Sequence, residues 1–479
     1  MQSEELKNLV FEIQRTKSER QNIELKTAAN GSPEKIFDTL SSFSNQDDGG
    51  TIIFGIDEKN DYSITGVYDA QDLQKKITEQ CNQMEPVVRA LFTLCEIDDK
   101  IIVSAEIPAV DLAERPVFYK GVGRIKGSYI RVGDADEHMS EYEIYSYEAF
   151  RKRTRDDLRA AEGSKASSLD KGMLSEYLAA VKKERKNFSA NVSDNEILEL
   201  MGVLTDGTPT VAGLLTFSMY PQTYFPQLCI TAVSVPGTEM GVLGEEGERF
   251  LDNKRITGPI SEMLDGAVDF VRRNSKVKTI IDENGRRQDK YEYPITAVRE
   301  AILNALVHRD YSIHTENTPI RLEMYNDRLE LTNSGGLYGK ISIDLLGKVH
   351  PETRNSILAN ILELLKITEN RYSGIPTMQA EMKKSGLPAP QFSVNHGEFK
   401  VVFKNSNAEH LCITDRSKYG EALLEFCKTP RSREELTNFF GKSRYYVMSS
   451  ILQPMLDNGK VGMTIPEKPK SSLQRYYTI

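Results

Sequence analysis

The stretch from Glu19 to Asp57 constrains the fold most, because its charged, apolar and glycine residues follow a pattern with few structural solutions. Ile23 to Lys26 reads as a short strand, and the two-residue side-chain period puts Glu24 and Lys26 on one face. A helical segment is expected over Pro33 to Asn45, and the Gly49-Gly50 pair marks a turn. Thr51 to Asp57 reads as a buried strand, rich in β-branched and apolar residues. On that strand Thr51, Ile53, Gly55 and Asp57 share a face, and Gly55 is expected to leave open space beside the carboxylate. Glu24, Lys26 and Asp57 should then converge at neighbouring strand ends, with Glu19 arriving from the preceding helix.

Such a cluster suits metal-assisted cleavage of a phosphodiester. Carboxylate oxygens hold Mg²⁺ or Mn²⁺, which leaves positions for water and phosphate oxygens. The ion polarises the phosphoryl oxygen and acidifies a bound water, and Lys26 would orient that water or steady developing negative charge. The plain alternative is a surface ion pair between Glu24 and Lys26, with Asp57 beginning a turn.

Glu19, Glu24, Lys26, Ser42, Phe43, Asn45, Gly49, Gly50, Gly55 and Asp57 together resemble the pattern of the Schlafen AlbA-like domain. In Schlafen-type ribonucleases the three acids at these motif positions are the metal-binding catalytic set. The resemblance therefore implies Glu19, Glu24 and Asp57 as metal ligands here. Relatives described only as nucleic-acid binders leave binding without cleavage open.

Composition bounds the rest. A chain of 479 residues should hold about three domains. A net charge of −9 means that nucleic-acid contacts must come from local basic patches. Cys81, Cys95, Cys229, Cys412 and Cys427 lie far apart without a C-x-x-C pair, which favours reduced thiols over disulfides or a zinc site. No signal-peptide core or membrane-length apolar run is visible, so a cytoplasmic protein with no membrane partner is expected.

The expected architecture is α+β multidomain. Residues 1–150 form the AlbA-like domain, in which Lys120, Arg124, Lys126 and Arg131 are candidate phosphate contacts on a strand-loop platform or, equally, a solvated face. Residues 151–190 form a helical linker, basic at Arg151, Lys152, Arg153 and Arg155 and broken by the Ser/Gly-rich run 163–168. Residues 191–405 form a third segment. Its helix around Val298 to Tyr311 stacks Glu300, Asn304 and His308 along one face at four-residue spacing. An Asn oxygen can ligate Mg²⁺ bridging nucleotide phosphates, and a Glu one turn away can activate water.

With the downstream Asn333-Ser334-Gly335-Gly336 and Glu369 to Pro376, this segment is similar to the divergent GHKL-type ATPase module labelled RecG-like C-terminal. The resemblance implies a Bergerat-type α/β sandwich, with Glu300 as water activator, Asn304 as Mg²⁺ ligand, and Asn333, Gly335, Gly336 and Gly374 beside base and phosphates. Such ATPases usually carry Asp where this chain has Asn333, whose carbonyl can still accept from the adenine amino group. Tyr372 stands where the second segment usually has its first glycine, so ATP binding with weak or no turnover is expected.

Residues 413–479 follow a winged helix-turn-helix pattern. Arg444, Tyr445 and Ser449 are expected to meet a major groove and Lys468, Lys470 and Arg475 backbone phosphates, unless this is a protein-contact winged helix, an alternative that the absence of a dense basic surface leaves open. Two functional classes follow. One is a metal-dependent endonuclease acting on RNA, tRNA or single-stranded DNA under nucleotide control, as a homo-oligomer and in phage defence or stress response. The other is an ATP-responsive transcriptional regulator that binds DNA without cutting it.

Overall fold

The computed structural model describes residues 1–186, 192–244, 246–281, 287–350, 352–368, 373–395, 397–405, 419–440, 446–467 and 474–479. The chain is mixed α+β and divides into two compact units, Met1–Arg155 and Asp156–Ile479. Among the described residues no helix is long and apolar enough to cross a membrane.

The first unit is built on a four-stranded sheet in the order Ile23–Lys26, Gly50–Phe54, Lys100–Ile107, Leu91–Ile97. The first pair is parallel and the others antiparallel. The helix Phe37–Ser44 supplies the crossover between the parallel strands, shorter than the expected span from Pro33. Asn45, at its end, is almost fully buried. It accepts from Val117 N at 2.8 Å and donates to Val117 O at 3.0 Å and Tyr129 O at 3.1 Å. Gly50 lies flat against Phe43, since a Cβ there would fall 2.3 Å from the ring.

The strand expected to run unbroken from Thr51 to Asp57 stops at Phe54. Gly55 has φ +100°, and a Cβ there would meet Gly66 and Ile102 at 3.0 Å. This glycine therefore serves a bend and a close backbone approach, and leaves no open space. Past the bend Ile56–Asp57 pairs with Ser63–Ile64 in a separate hairpin, so Asp57 no longer shares a face with Thr51 and Ile53. The expected strand platform at 117–132 is also interrupted: Gly123–Gly127 is a short helix that carries Arg124 and Lys126.

The second unit centres on a six-stranded sheet, in the order Asp252–Ile256, Ile230–Ser234, Ile320–Met324, Arg328–Ser334, Glu398–Lys404, Gln391–Asn395. The helices Ile260–Asn274 and Ile295–His308 share its core. The Ser/Gly-rich run expected as a linker lies inside this unit. Ala161 and Leu169, on either side of it, are buried in the core, and Ser164 is buried too. The rest of the run is largely exposed, and the boundary falls at Arg155.

Residues 419–479 add a core of their own around Leu423, Leu436, Phe440, Val447, Ile451 and Tyr476. Three short strands accompany it, in the order Arg431–Ser432, Arg475–Thr478, Val461–Met463.

Candidate functional site

The Ile295–His308 helix buries Ala297, Val298, Ala301, Ile302, Ala305 and Leu306. Its period leaves Glu300, Asn304 and His308 on the remaining face. All three line one cavity of about 520 Å³. Asn333, Gly335 and Gly336, from the end of the Arg328–Ser334 strand, line it too, as does Gly374 at the start of the Gly374–Lys384 helix. Three distant stretches of sequence are thus brought to one hollow.

The glycines have geometric reasons to be there. A Cβ on Gly374 would fall 2.7 Å from Asn304 Nδ2 and 3.2 Å from Glu300 Oε2, so this backbone passes close to both side chains, and a larger residue would make their polar ends shift. Gly335 has φ +105°, and a Cβ there would press on Asp310 at 3.0 Å and on Arg354 Nη1 at 3.4 Å.

Asn333 is 5% exposed. Its Nδ2 donates to the Ala305 carbonyl at 2.9 Å. A carbonyl can only accept, so this bond fixes the amide and leaves Oδ1, which has no hydrogen-bond partner, as the group able to take a donor.

One residue that the sequence pattern does not single out, Arg354, joins the wall, held by Asp310. Arg354 Nη1 pairs with Asp310 Oδ2 at 2.5 Å, both nearly buried, and Arg354 lines the cavity. Asp310 could have been suspected, since it sits two positions after His308 in the same run. Nothing in the sequence marks Arg354. His308 lines the cavity and is exposed there. Desolvation, with the Arg354 guanidinium adding to it, lowers its pKa to about 4.

The N-terminal acids behave otherwise. Glu24 pairs with Lys26 Nζ at 2.6 Å and with Arg131 Nη2 at 2.8 Å. Asp57 Oδ1 caps its own short helical turn, accepting from Lys59 N at 3.1 Å. Glu19 accepts from Leu25 N at 3.1 Å. Burial, then the charges of Glu24 and Glu58, push its pKa up to about 7. Among the described residues no group of three or more His, Cys, Asp or Glu side chains could hold a metal ion. Of the three acids expected to converge, Asp57 is engaged with its own turn and Glu24 with two cations, while Glu19 feels the charge of Glu24. Glu24 and Lys26 form an ion pair, as the plain alternative has it, but Glu24 is mostly buried and is shared with Arg131.

Arg131, expected to face phosphates, has a side chain only 1% exposed. It also pairs with Asp136 at 2.9 Å, and Asp136 in turn accepts from Ser42 and Thr39. Arg124 pairs with Glu148, whereas Lys120 and Lys126 remain exposed. Arg444, Tyr445, Lys468 and Lys470 lie outside the described residues, as does the side chain of Ser449. Arg475 donates to Pro430 O at 3.2 Å and lies 3.6 Å from Glu435.

Residues 19–140 match the family model "Schlafen, AlbA_2", and residues 317–403 match "Putative ATP-dependent DNA helicase recG C-terminal". The chain carries a Schlafen AlbA_2 domain and a RecG-like C-terminal region. Residues 421–478, expected as a winged helix, match "Filamentation induced by cAMP protein Fic-like, C-terminal domain". The RecG-like match contains Asn333, Gly335, Gly336 and Gly374, while the helix bearing Glu300 and Asn304 lies just upstream of it.

Among solved structures, the DIP2311 protein of Corynebacterium diphtheriae is 18% identical over 95% of this chain and 93% of that one, with a TM-score of 0.40. The N-terminal domain of a putative ATP-dependent DNA helicase RecG-related protein from Nitrosomonas europaea is 25% identical over 28% of this chain and 92% of that one, with a TM-score of 0.23. No curated protein matches. The AlbA_2 and RecG-like regions suggest a nucleic-acid-related, ATP-binding protein.

The raised pKa of Glu19 has a consequence for stability. A carboxyl that ionises near pH 7 when folded and near 4.5 when unfolded binds more protons in the native state between those values. Wild-type stability should therefore fall as pH rises from about 4.5 to about 7, relative to Glu19→Gln. Melting temperatures of both proteins across that window check it, and parallel curves would refute the assignment.

Proposed function

We propose that the protein binds ATP in the cavity beneath the Ile295–His308 helix and nucleic acid through its AlbA_2 domain. The observation that carries this reading is the meeting of Glu300, Asn304, Asn333 and Gly374 on one hollow. Asn333 Oδ1 would accept from the adenine amino group, and the Ala305 carbonyl holds it ready to do so. The close passage of the Gly374 backbone leaves Asn304 and Glu300 beside the place where phosphates would lie. An Asn oxygen and a carboxylate are hard donors suited to Mg²⁺, and a bound ion there would neutralise phosphate charge. Glu300 would orient a water toward the terminal phosphate. We assign this unit to the Bergerat-type sandwich on the same grounds, and the protein to ATP-responsive binding of nucleic acid, such as a transcriptional regulator performs.

The test is thermal. A ligand that binds only the folded form at a hundredfold excess over its Kd stabilises by about 2.7 kcal/mol. Wild type should melt higher with millimolar Mg-ATP, the rise should vanish in Asn333→Leu, and Asn304→Ala should lose its dependence on Mg²⁺. A wild-type transition that does not move would contradict the reading.

One observation favours metal-dependent cleavage as a second reading: Glu19, with a pKa of about 7, stands close enough to Glu24 to feel its charge. Two carboxylates of the right type are present, but the set as arranged is incomplete for a divalent ion, since Asp57 is turned to its own backbone. Incubation of wild type and Glu24→Ala with RNA, tRNA and single-stranded DNA in Mn²⁺ or EDTA decides it. Products that need both Mn²⁺ and Glu24 would establish nuclease activity. Intact substrate throughout would leave binding alone.

A further inference from the structure

We propose that the first unit, just beyond its AlbA_2 region, grips the nucleic-acid backbone at the C-terminal end of the Glu141–Lys152 helix, through Arg151, Lys152, Arg153 and Arg155. The proposal rests on the reading that this unit binds nucleic acid, and it says where.

The geometry begins at Glu148. Arg124, from the short Gly123–Gly127 helix, pairs with it. One turn along, Arg151 Nη2 lies 4.0 Å and Lys152 Nζ 3.7 Å from the same carboxylate. Three cations thus surround one acid, and a single negative charge cannot neutralise them. Arg153, in a left-handed C-cap, and Arg155 extend the cluster beyond the helix. Arg151, Lys152, Arg153 and Arg155 are all exposed, while Asp156 and Asp157, next along the chain, are buried.

Helix-dipole compensation accounts for Arg151 and Lys152 in the last turn. It does not require Arg153 and Arg155 outside the helix, or an arginine brought across from another element. The protein as a whole carries a charge of −9, so its average surface repels a polyanion and a dense local patch is needed to hold one. Exposed Val122 and Ile125 flank Arg124, which adds apolar surface of a kind that can lie against unstacked bases. The strand platform offers less, because Arg131 is enclosed by Glu24 and Asp136.

The experiment titrates full-length protein against a fluorescent single-stranded RNA of about 20 nucleotides and mixed sequence, over a range of salt. Removal of one phosphate-binding cation should flatten the slope of log K against log salt by about 0.7 on a single strand. Arg151→Gln/Lys152→Gln/Arg153→Gln/Arg155→Gln should therefore flatten it by about 3 and weaken binding at least about tenfold near 0.1 M salt. Lys75→Gln/Lys171→Gln/Lys183→Gln/Lys383→Gln removes the same charge from other exposed positions and should bind like wild type. Arg153→Glu/Arg155→Glu, which leaves the helix intact, should also weaken binding, with an unchanged melting temperature.

If wild type binds and the patch variants match it in affinity and slope, this placement is overturned while nucleic-acid binding stands. Equal weakening by the dispersed control also overturns it, since net charge would then be the cause. If wild type binds no RNA even at low salt, the underlying reading fails together with the placement.

Discussion

The Ile295–His308 helix can bury only part of its circumference, and the rest of the candidate site follows from which part it buries. Burial of each large apolar side chain on its inner face stabilises the fold by roughly 1.5–3 kcal/mol. That is ample to pin the helix against the sheet. With the inner face fixed, the 3.6-residue period leaves Glu300, Asn304 and His308 no other direction than the hollow. Two contacts then set its walls. Asn333 ties the end of a strand to the Ala305 carbonyl, and the Gly374 backbone passes against Asn304 and Glu300. A side chain at position 374 would displace the polar ends of Asn304 and Glu300.

The first unit obeys a different constraint, the satisfaction of buried polar groups. Asn45 supplies a donor and an acceptor to backbone groups of 117 and 129 that would otherwise be stranded. Arg131, nearly inaccessible, needs Glu24 and Asp136 as partners, because an unpaired buried guanidinium would be very costly. The same demand engages Glu24. An acid already paired with an arginine and a lysine is part of the charge network that holds this unit together.

Much of the second unit is legible in the sequence. Local periodicity settles which residues share a helix face, so the stripe of Glu300, Asn304 and His308 can be read directly. The partnership of Asn333 with Ala305, and that of Arg354 with Asp310, depends on strand order and on a turn between distant segments, for which the sequence carries no period. Errors in the first unit have the same origin. Strand parity gives Asp57 the face of Ile53, but parity holds only while φ stays extended, and Gly55 breaks it. A basic residue in a strand has the look of a surface group, yet Arg131 is enclosed. In the second unit the run 163–168 has the composition of a linker, yet it is anchored between buried Ala161 and Leu169, with Ser164 buried too.

The central claim is that residues from three stretches of the chain form one nucleotide-binding hollow. Photolabelling with 8-azido-ATP, followed by peptide mapping, tests it most directly. The account predicts label on peptides spanning 296–308, 333–338 or 373–378, displaced by unmodified ATP. Label confined to other peptides, or label that excess ATP fails to displace, would contradict it.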